Sequence, residues 1–154
     1  MVLLLYVKGM NISSSAFLHE GSIPKKYTCQ GQDINPQLTI TEVPQDAKSL
    51  ALIMDDPDAP NGTWTHWVMW NILPTIDIIA EDGVPSNAVQ GKNSWGKNSY
   101  GGPCPPSGKH RYFFKLYALD IVLGVQSMDA EQLRTAMNGH ILGEIELMGT
   151  YQKH

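Results

Sequence analysis

Short apolar segments bounded by proline and glycine run through most of the chain, a pattern typical of an all-β sandwich. The sequence contains 10 prolines and 14 glycines, which are spread along its length rather than gathered in one linker. Alternating or continuous apolar positions predict several strands, and the clearest is the aromatic-rich one that ends at Leu119. The predicted strands are Leu38–Thr41, Leu50–Met54, Trp67–Leu73, Arg111–Leu119 and Gly143–Tyr151.

A single good helix is predicted, at 130–138. Asp129 and Gln132 have the spacing of a capping box, in which each side chain bonds the backbone N–H of the other residue. Leu133 and Met137 are four residues apart and share one helix face. We therefore expect a mainly β fold with one or two short helices.

The segment between Ile79 and Gly108 is mostly glycine, asparagine, serine and proline, with Trp95 and Tyr100 as isolated aromatic residues. An irregular segment of this length inside a compact domain is usually either functional or disordered. The two aromatic residues favour a functional loop.

The bulk composition is that of an ordinary globular protein. The chain has 154 residues, 42% of them hydrophobic and 17% charged, which suits one domain (1–154) with a proper core. The net charge is −4, the isoelectric point is near 5.6, and no run of lysine or arginine occurs. These values argue against nucleic acid or an anionic membrane as the main partner.

The N-terminal segment and the two cysteines bear on where the protein is located in the cell. Met1–Lys8 is too short to span a bilayer and lacks the features of an export signal, so the cytoplasm is the default location. A first strand explains this segment, as does a translation start upstream of a native Met10. Cys29 and Cys104 form neither a disulfide framework nor a metal site by spacing. Free thiols are the default expectation, and a single bridge stays open.

The predicted strand that begins at Leu50 ends in an acidic corner containing Asp55, Asp56 and Asp58. Pro57 and Pro60 stiffen this corner, because each proline fixes its own φ and restricts the residue before it. A turn in which the aspartates cap their own backbone and a site that holds carboxylates in place are equally compatible with these residues. No role is assigned to Asp55.

Two further segments carry residues suited to a site. Because consecutive strands are usually neighbours, His66 is expected near the acidic corner, although a lone histidine is more often satisfied by the backbone. Gly102 follows another glycine, and such pairs expose N–H groups that bind anions. His110 and Tyr112 share one face of their strand and Arg111 lies on the other. An ordinary surface loop is the alternative for this last segment.

Taken together, Asp56-Pro-Asp-Ala-Pro60, Trp64-x-His66, and Gly102 to Tyr112 with His110-Arg111-Tyr112 resemble the phosphatidylethanolamine-binding protein family, in particular its compact bacterial and archaeal branch. The resemblance covers about residues 10–151. It implies a Greek-key antiparallel β-sandwich with a shallow pocket for phosphate or phosphoethanolamine. It also implies a cis Ala59–Pro60 bond. The implied ligand-binding residues are Asp56, Asp58, Trp64, His66, Gly102, Pro105, Pro106, His110 and Tyr112.

Two departures from the family pattern limit what carries over. The connection from Asp58 to Trp64 is shorter than in animal and plant members, and no helix follows Tyr151. Both weigh against the kinase-regulating and developmental roles of those members. We expect a binding protein for a phosphate-bearing or similar anion, without catalysis or cofactor. The affinity should fall from about pH 6 to 8, since the ligand proton and the histidine charges are lost there.

Other functions stay open at this level. The resemblance permits an inhibitor of a serine protease or kinase, with a protein partner, and a homodimer is compatible with the sequence. A cysteine-dependent hydrolase would use Cys104 with His110. A metal-dependent enzyme would draw its ligands from Asp56, Asp58, His66 and His110, although their spacing is not diagnostic.

Overall fold

Two antiparallel sheets form the frame of the protein in its computed structural model, which describes residues 9–153. The strands are β1 (Asn11–Ser13), β2 (Leu38–Thr41), β3 (Ser49–Asp56), β4 (Trp64–Ile72), β5 (Ile78–Ile79), β6 (Val89–Gln90), β7 (Lys109–Leu119) and β8 (Ile141–Gln152), and helix α1 spans Ala130–Met137. The smaller sheet has the order β1-β2-β5 and the larger one β6-β4-β3-β7-β8. The chain places β4 on one side of β3 and returns later to place β7 on the other, a Greek-key connection.

Strand β3 lies at the centre of the larger sheet and is buried over all eight of its residues. Leu52 and its neighbours on the same face pack against the smaller sheet, whereas Ile53 faces a second core that includes α1. A strand covered on both faces needs apolar residues at every position, which accounts for the continuous apolar run in the sequence. The result is three layers: small sheet, large sheet and helix.

Helix α1 begins with the predicted capping box. Asp129 accepts the backbone N–H of Gln132 at 2.9 Å, and the Gln132 side chain accepts that of Asp129 at 3.0 Å. Leu133 and Met137 are buried against the outer face of the large sheet. Within residues 9–153 no helix is long and apolar enough to cross a membrane.

The mainly β antiparallel sandwich is confirmed, and every predicted strand is present. Four of them extend beyond their predicted bounds, since β3 continues to Asp56, β4 begins at Trp64, β7 begins at Lys109 and β8 spans Ile141–Gln152. The polar segment from Ile79 to Gly108 is mostly irregular and contains the two-residue strand β6. The strand considered for Met1–Lys8 lies outside the described residues.

The expectation of free thiols is wrong, because Cys29 and Cys104 form a disulfide across 75 residues of sequence. The segment that carries Cys29 lies against the loop before β7, where its backbone N–H donates to the carbonyl of Pro103 at 3.1 Å. The Cα atoms of the two cysteines are 5.4 Å apart, within the range of a bridge. Sequence spacing alone does not show this long-range approach.

Candidate functional site

A cavity of about 310 Å³ opens where β3, β4 and β7 meet the loop that precedes β7. The antiparallel register brings the end of β3 to the starts of its two neighbours, because Asp56 pairs with Trp64 and Asp55 pairs with Phe113. Segments distant in sequence therefore line one space. The lining residues are Asp56, Ala59, Pro60, Trp64, His66, Trp95, Cys104, Pro106, His110 and Tyr112.

Asp56 is the carboxylate of this cavity, and only 3% of its surface is exposed. Its Oδ2 atom lies 2.7 Å from Nδ1 of His110, and its Oδ1 accepts the backbone N–H of Asp58 at 2.8 Å. The acidic corner thus caps its own backbone and also presents a site residue. The Ala59–Pro60 bond is trans, so the cis bond implied by the resemblance is wrong. The side-chain bond of Asp56 closes the corner without it.

His66 is held by a backbone carbonyl. Its Nδ1 lies 2.7 Å from the carbonyl oxygen of Gly101. Since a carbonyl can only accept, Nδ1 carries the proton and Nε2 is an acceptor in the neutral ring. Burial lowers the pKa of His66, and the bond to Gly101 and the charge of Asp56 offset this only in part.

Tyr112 is fully buried between the two histidines, with its ring centroid 5.2 Å from that of His66 and 6.5 Å from that of His110. By ordinary hydrogen-bond geometry its hydroxyl has no partner among the described residues, although the Asp56 carboxylate and the Cys104 backbone lie close to it. Burial, followed by the charge of Asp56, raises the pKa of Tyr112 well above its usual value. A buried hydroxyl without a partner is costly, so this atom is suited to bonding a ligand.

Two indole rings form the rim. Trp64 is 37% exposed and Trp95 is 44% exposed, and their centroids are 5.4 Å apart in an edge-to-face arrangement. Trp95 also contacts the His66 ring at 5.0 Å. The sequence marked Trp95 as an isolated aromatic in a functional loop but did not connect it with the site, and it also missed Ala59 and Pro60.

Three of the implied residues lie outside the lining: Asp58, Gly102 and Pro105. Both oxygens of Asp58 bind the Arg111 guanidinium, at 2.8 and 3.0 Å, and these bonds hold the pKa of Asp58 below its usual value. The N–H of Gly102 donates to Oδ1 of Asp33 at 2.7 Å. The other implied residues line the cavity, and Arg111 faces away from it, as alternation predicted.

Cys104 lines the cavity, and its sulfur is part of the disulfide with Cys29. The hydrolase alternative requires a thiolate, which a bridged cysteine does not provide. Among residues 9–153, no group of three or more histidine, cysteine, aspartate or glutamate side chains has the arrangement of a metal site. Asp58, one of the four ligands considered, is turned towards Arg111.

The cavity is rich in acceptors and contains no lysine or arginine in its lining. Asp56 contributes a carboxylate, neutral His66 contributes Nε2, and the Tyr112 hydroxyl can donate. A fully ionised anion would face the negative charge of Asp56, while Arg111, whose charge also acts on Asp56, lies outside the lining. The arrangement therefore suits an anion that brings a proton of its own.

Comparison with known sequences identifies close relatives. The family model described as phosphatidylethanolamine-binding protein matches residues 13–152. A UPF0098 protein of Methanothermobacter thermautotrophicus is 50% identical over 150 residues, which cover 94% of this chain and 99% of the relative. A UPF0098 protein of Chlamydia trachomatis is 49% identical with the same coverage of both chains.

Solved structures are similar over nearly the whole chain. A phosphatidylethanolamine-binding protein homologue from Chlamydia trachomatis has a TM-score of 0.92 and 47% identity, covering 95% of this chain and 99% of its own. YbcL of Escherichia coli, described as a member of the mammalian family, has a TM-score of 0.89 and 29% identity, covering 96% and 100%. Sequence and fold agree: this chain belongs to the phosphatidylethanolamine-binding protein family.

Proposed function

We propose that the protein binds a small phosphate-bearing ligand in this cavity and does not transform it, acting as a binding or regulatory protein. The observation that carries the proposal is the buried hydroxyl of Tyr112, which has no partner among the described residues. It lies beside two histidine rings and next to the Asp56–His110 pair. A phosphoryl oxygen would satisfy this hydroxyl.

The proton inventory explains how a carboxylate and a phosphate share the cavity. Each Asp56 oxygen has one hydrogen-bond donor already, and a carboxylate oxygen can accept two. A phosphate group in its monoanionic form would donate a proton to Asp56 in a charge-assisted bond. His66, with Nδ1 on the backbone, has Nε2 for a second ligand oxygen once it is protonated.

We also propose that the protein breaks no covalent bond of its ligand. The sulfur of Cys104 is bridged, and the histidines that line the cavity are paired with a carboxylate and a carbonyl rather than with a serine or a threonine. Phosphoethanolamine incubated with the protein should stay intact by phosphorus NMR. Release of inorganic phosphate above the rate in buffer would contradict this part.

Calorimetric titration tests the binding itself, with inorganic phosphate as the probe and sulfate as the matched anion. Phosphate should bind more tightly at pH 6 than at pH 8, by about tenfold, because the phosphate group becomes a dianion over this range and the Asp56 carboxylate repels the second charge. Sulfate carries no proton to donate at pH 6 and should bind more weakly. Affinity that is flat or rising with pH, or equal for the two anions, would remove the mechanism.

A further inference from the structure

One peptide unit joins the pocket to a carboxylate outside it. In the peptide group that links Gly101 to Gly102, the carbonyl oxygen of Gly101 accepts a hydrogen bond from Nδ1 of His66 at 2.7 Å. At its N–H it donates to Oδ1 of Asp33, also at 2.7 Å. Asp33 does not line the cavity, and this peptide is a hydrogen-bonded connection between its carboxylate and the pocket.

The geometry of this unit is closely constrained. A Cβ atom at Gly102 would lie 2.3 Å from the carbonyl oxygen of Tyr27 and 2.4 Å from Oδ1 of Asp33, so only glycine fits. Asp33 has a φ of 59°, in the left-handed region that aspartate tolerates better than most residues. Its backbone N–H donates to the carbonyl of Lys26 at 3.1 Å. The carboxylate is thus presented to Gly102 by a fixed backbone.

We propose that Asp33 is a positioning residue for the pocket: through the 101–102 peptide, its carboxylate fixes the proton of His66 on Nδ1 and keeps Nε2 for the ligand. A charged acceptor on the N–H polarises the peptide and makes its carbonyl a stronger acceptor. The carbonyl in turn holds the imidazole ring in one tautomer. The role of Nε2 towards a ligand rests on the proposed function; the effect on the ring does not.

The other groups around His66 do not supply this control. The charges of Asp56 and Asp55 act on the ring, and the Trp95 and Tyr112 rings contact it. The backbone of Gly102 also interacts with the ring, but the short hydrogen bond at Nδ1 is the one to the Gly101 carbonyl, at 2.7 Å. The orientation of that carbonyl therefore decides which ring nitrogen carries the proton.

Two substitutions at one position separate charge from hydrogen bonding. Asp33→Asn keeps an oxygen that can accept the Gly102 N–H but removes the charge, whereas Asp33→Ala removes both. Asp82→Asn is the matched control, because Asp82 and Asp33 line the same second cavity, whereas the carboxylate that accepts the Gly102 N–H is that of Asp33. Circular dichroism establishes that each variant is folded.

Nitrogen NMR of the imidazole rings in the ligand-free protein gives the decisive measurement. We expect the Nδ1–H tautomer of His66 in the wild type and in Asp82→Asn. Asp33→Asn should keep this tautomer but lower the His66 pKa, and Asp33→Ala should give a mixture of tautomers. A wild-type tautomer and pKa in Asp33→Ala would overturn the proposal.

Phosphate titration of the same proteins at pH 6 adds a functional measurement. Loss of one fixed hydrogen bond predicts an affinity about three- to tenfold lower in Asp33→Ala, with Asp82→Asn unchanged. If the wild type does not bind phosphate while the NMR changes occur, the proposed function fails and the effect of Asp33 on His66 stands. Unchanged affinity in Asp33→Ala, with wild-type binding intact, would contradict the positioning role.

Discussion

Asp55 and Asp56 are adjacent, almost fully buried (1% and 3% exposed) and on opposite faces of β3, yet their surroundings differ. Oδ2 of Asp55 binds Lys115 Nζ and Arg134 Nη2, each at 3.0 Å, which joins β3 to β7 and α1. Asp56 instead binds His110 and borders a cavity. Two carboxylates one residue apart thus belong to different kinds of structure.

The difference lies in the partners. Lysine and arginine keep their charge over the whole physiological range, so the Asp55 cluster is a fixed connection between layers. Histidine has two ring nitrogens that can donate or accept, so the hydrogen bonds on the Asp56 side can rearrange when a ligand arrives. This comparison also supplies the structural role of Asp55 that the sequence analysis left unassigned.

The largest expected effect concerns the bridge on the Asp56 side. Reducing Cys29–Cys104, or replacing both cysteines with serine, should lower the free energy of unfolding by about 2–4 kcal/mol, since the bridge closes a long loop in the unfolded chain. Urea unfolding with and without reductant measures this. If the two sides of β3 are independent, this cost and that of Asp55→Ala should add within about 0.5 kcal/mol. A larger deviation from additivity would show that the two faces of β3 are energetically coupled.

The second largest effect is expected at the ion pairs of Asp55 with Lys115 and Arg134. Asp55→Ala leaves Lys115 and Arg134 without their shared carboxylate and should cost about 2–3 kcal/mol, less than a fully buried pair because both cations are partly exposed. Urea unfolding measures the loss, with Glu131→Gln, at the exposed second partner of Arg134, as the control. Phosphate affinity should change less than twofold. A large loss of affinity would show that the two faces are not separate.

Asp56→Asn acts on the ligand instead. An amide is a weaker acceptor for the phosphate proton, so affinity at pH 6 should fall about tenfold, and the difference from wild type should narrow at pH 8. Calorimetry at both pH values measures this change. Asp58→Asn is the matched control and should leave affinity within twofold, because Asp58 is bonded to Arg111 outside the lining. If the two variants lost phosphate affinity equally, Asp56 would not be the only aspartate of this corner that acts on the ligand.

The smallest effect is a pH dependence of stability from His66. Its pKa is lowered in the folded protein by burial, so the unfolded chain binds more protons below its own pKa of about 6.5. Stability should therefore be fully present above about pH 6.5 and decrease as the pH falls towards the lowered folded pKa, by at most about 1.4 kcal/mol per pH unit. The contribution of His66 is the difference in the free energy of unfolding between wild type and His66→Gln, measured by urea unfolding from pH 7.5 to 5. A wild-type stability that rises on acidification relative to the variant would contradict it.

Much of the fold follows from local sequence patterns. Period-two alternation placed His110 and Tyr112 on one face and Arg111 on the other, and the capping box located the helix. The apolar pattern ended too early at the acidic corner, because Asp55 and Asp56 are held in β3 by neighbouring strands on both sides rather than by their own propensity. Tertiary pairing overrides local preference there.

The site was predicted less completely, for reasons of distance in sequence. Nothing local shows that Asp33 takes the N–H of Gly102, since the two residues are 69 positions apart. The Cys29–Cys104 bridge depends on a similar long-range approach. Asp58 belongs to the same motif as Asp56, but its side chain turns to Arg111, a choice of partner that a motif does not encode.

The position of β3 has a consequence for the exchange of backbone amide hydrogens with solvent. Because β3 is buried throughout and paired on both sides, its amides should exchange only through global unfolding. Another part of the lining is the loop that carries Cys104 and Pro106, which has no regular secondary structure, so its few amides should exchange faster than those of β3. The pocket therefore combines a slowly exchanging wall that carries Asp56 with a rapidly exchanging one. A bound ligand should slow exchange in the loop and leave β3 unchanged.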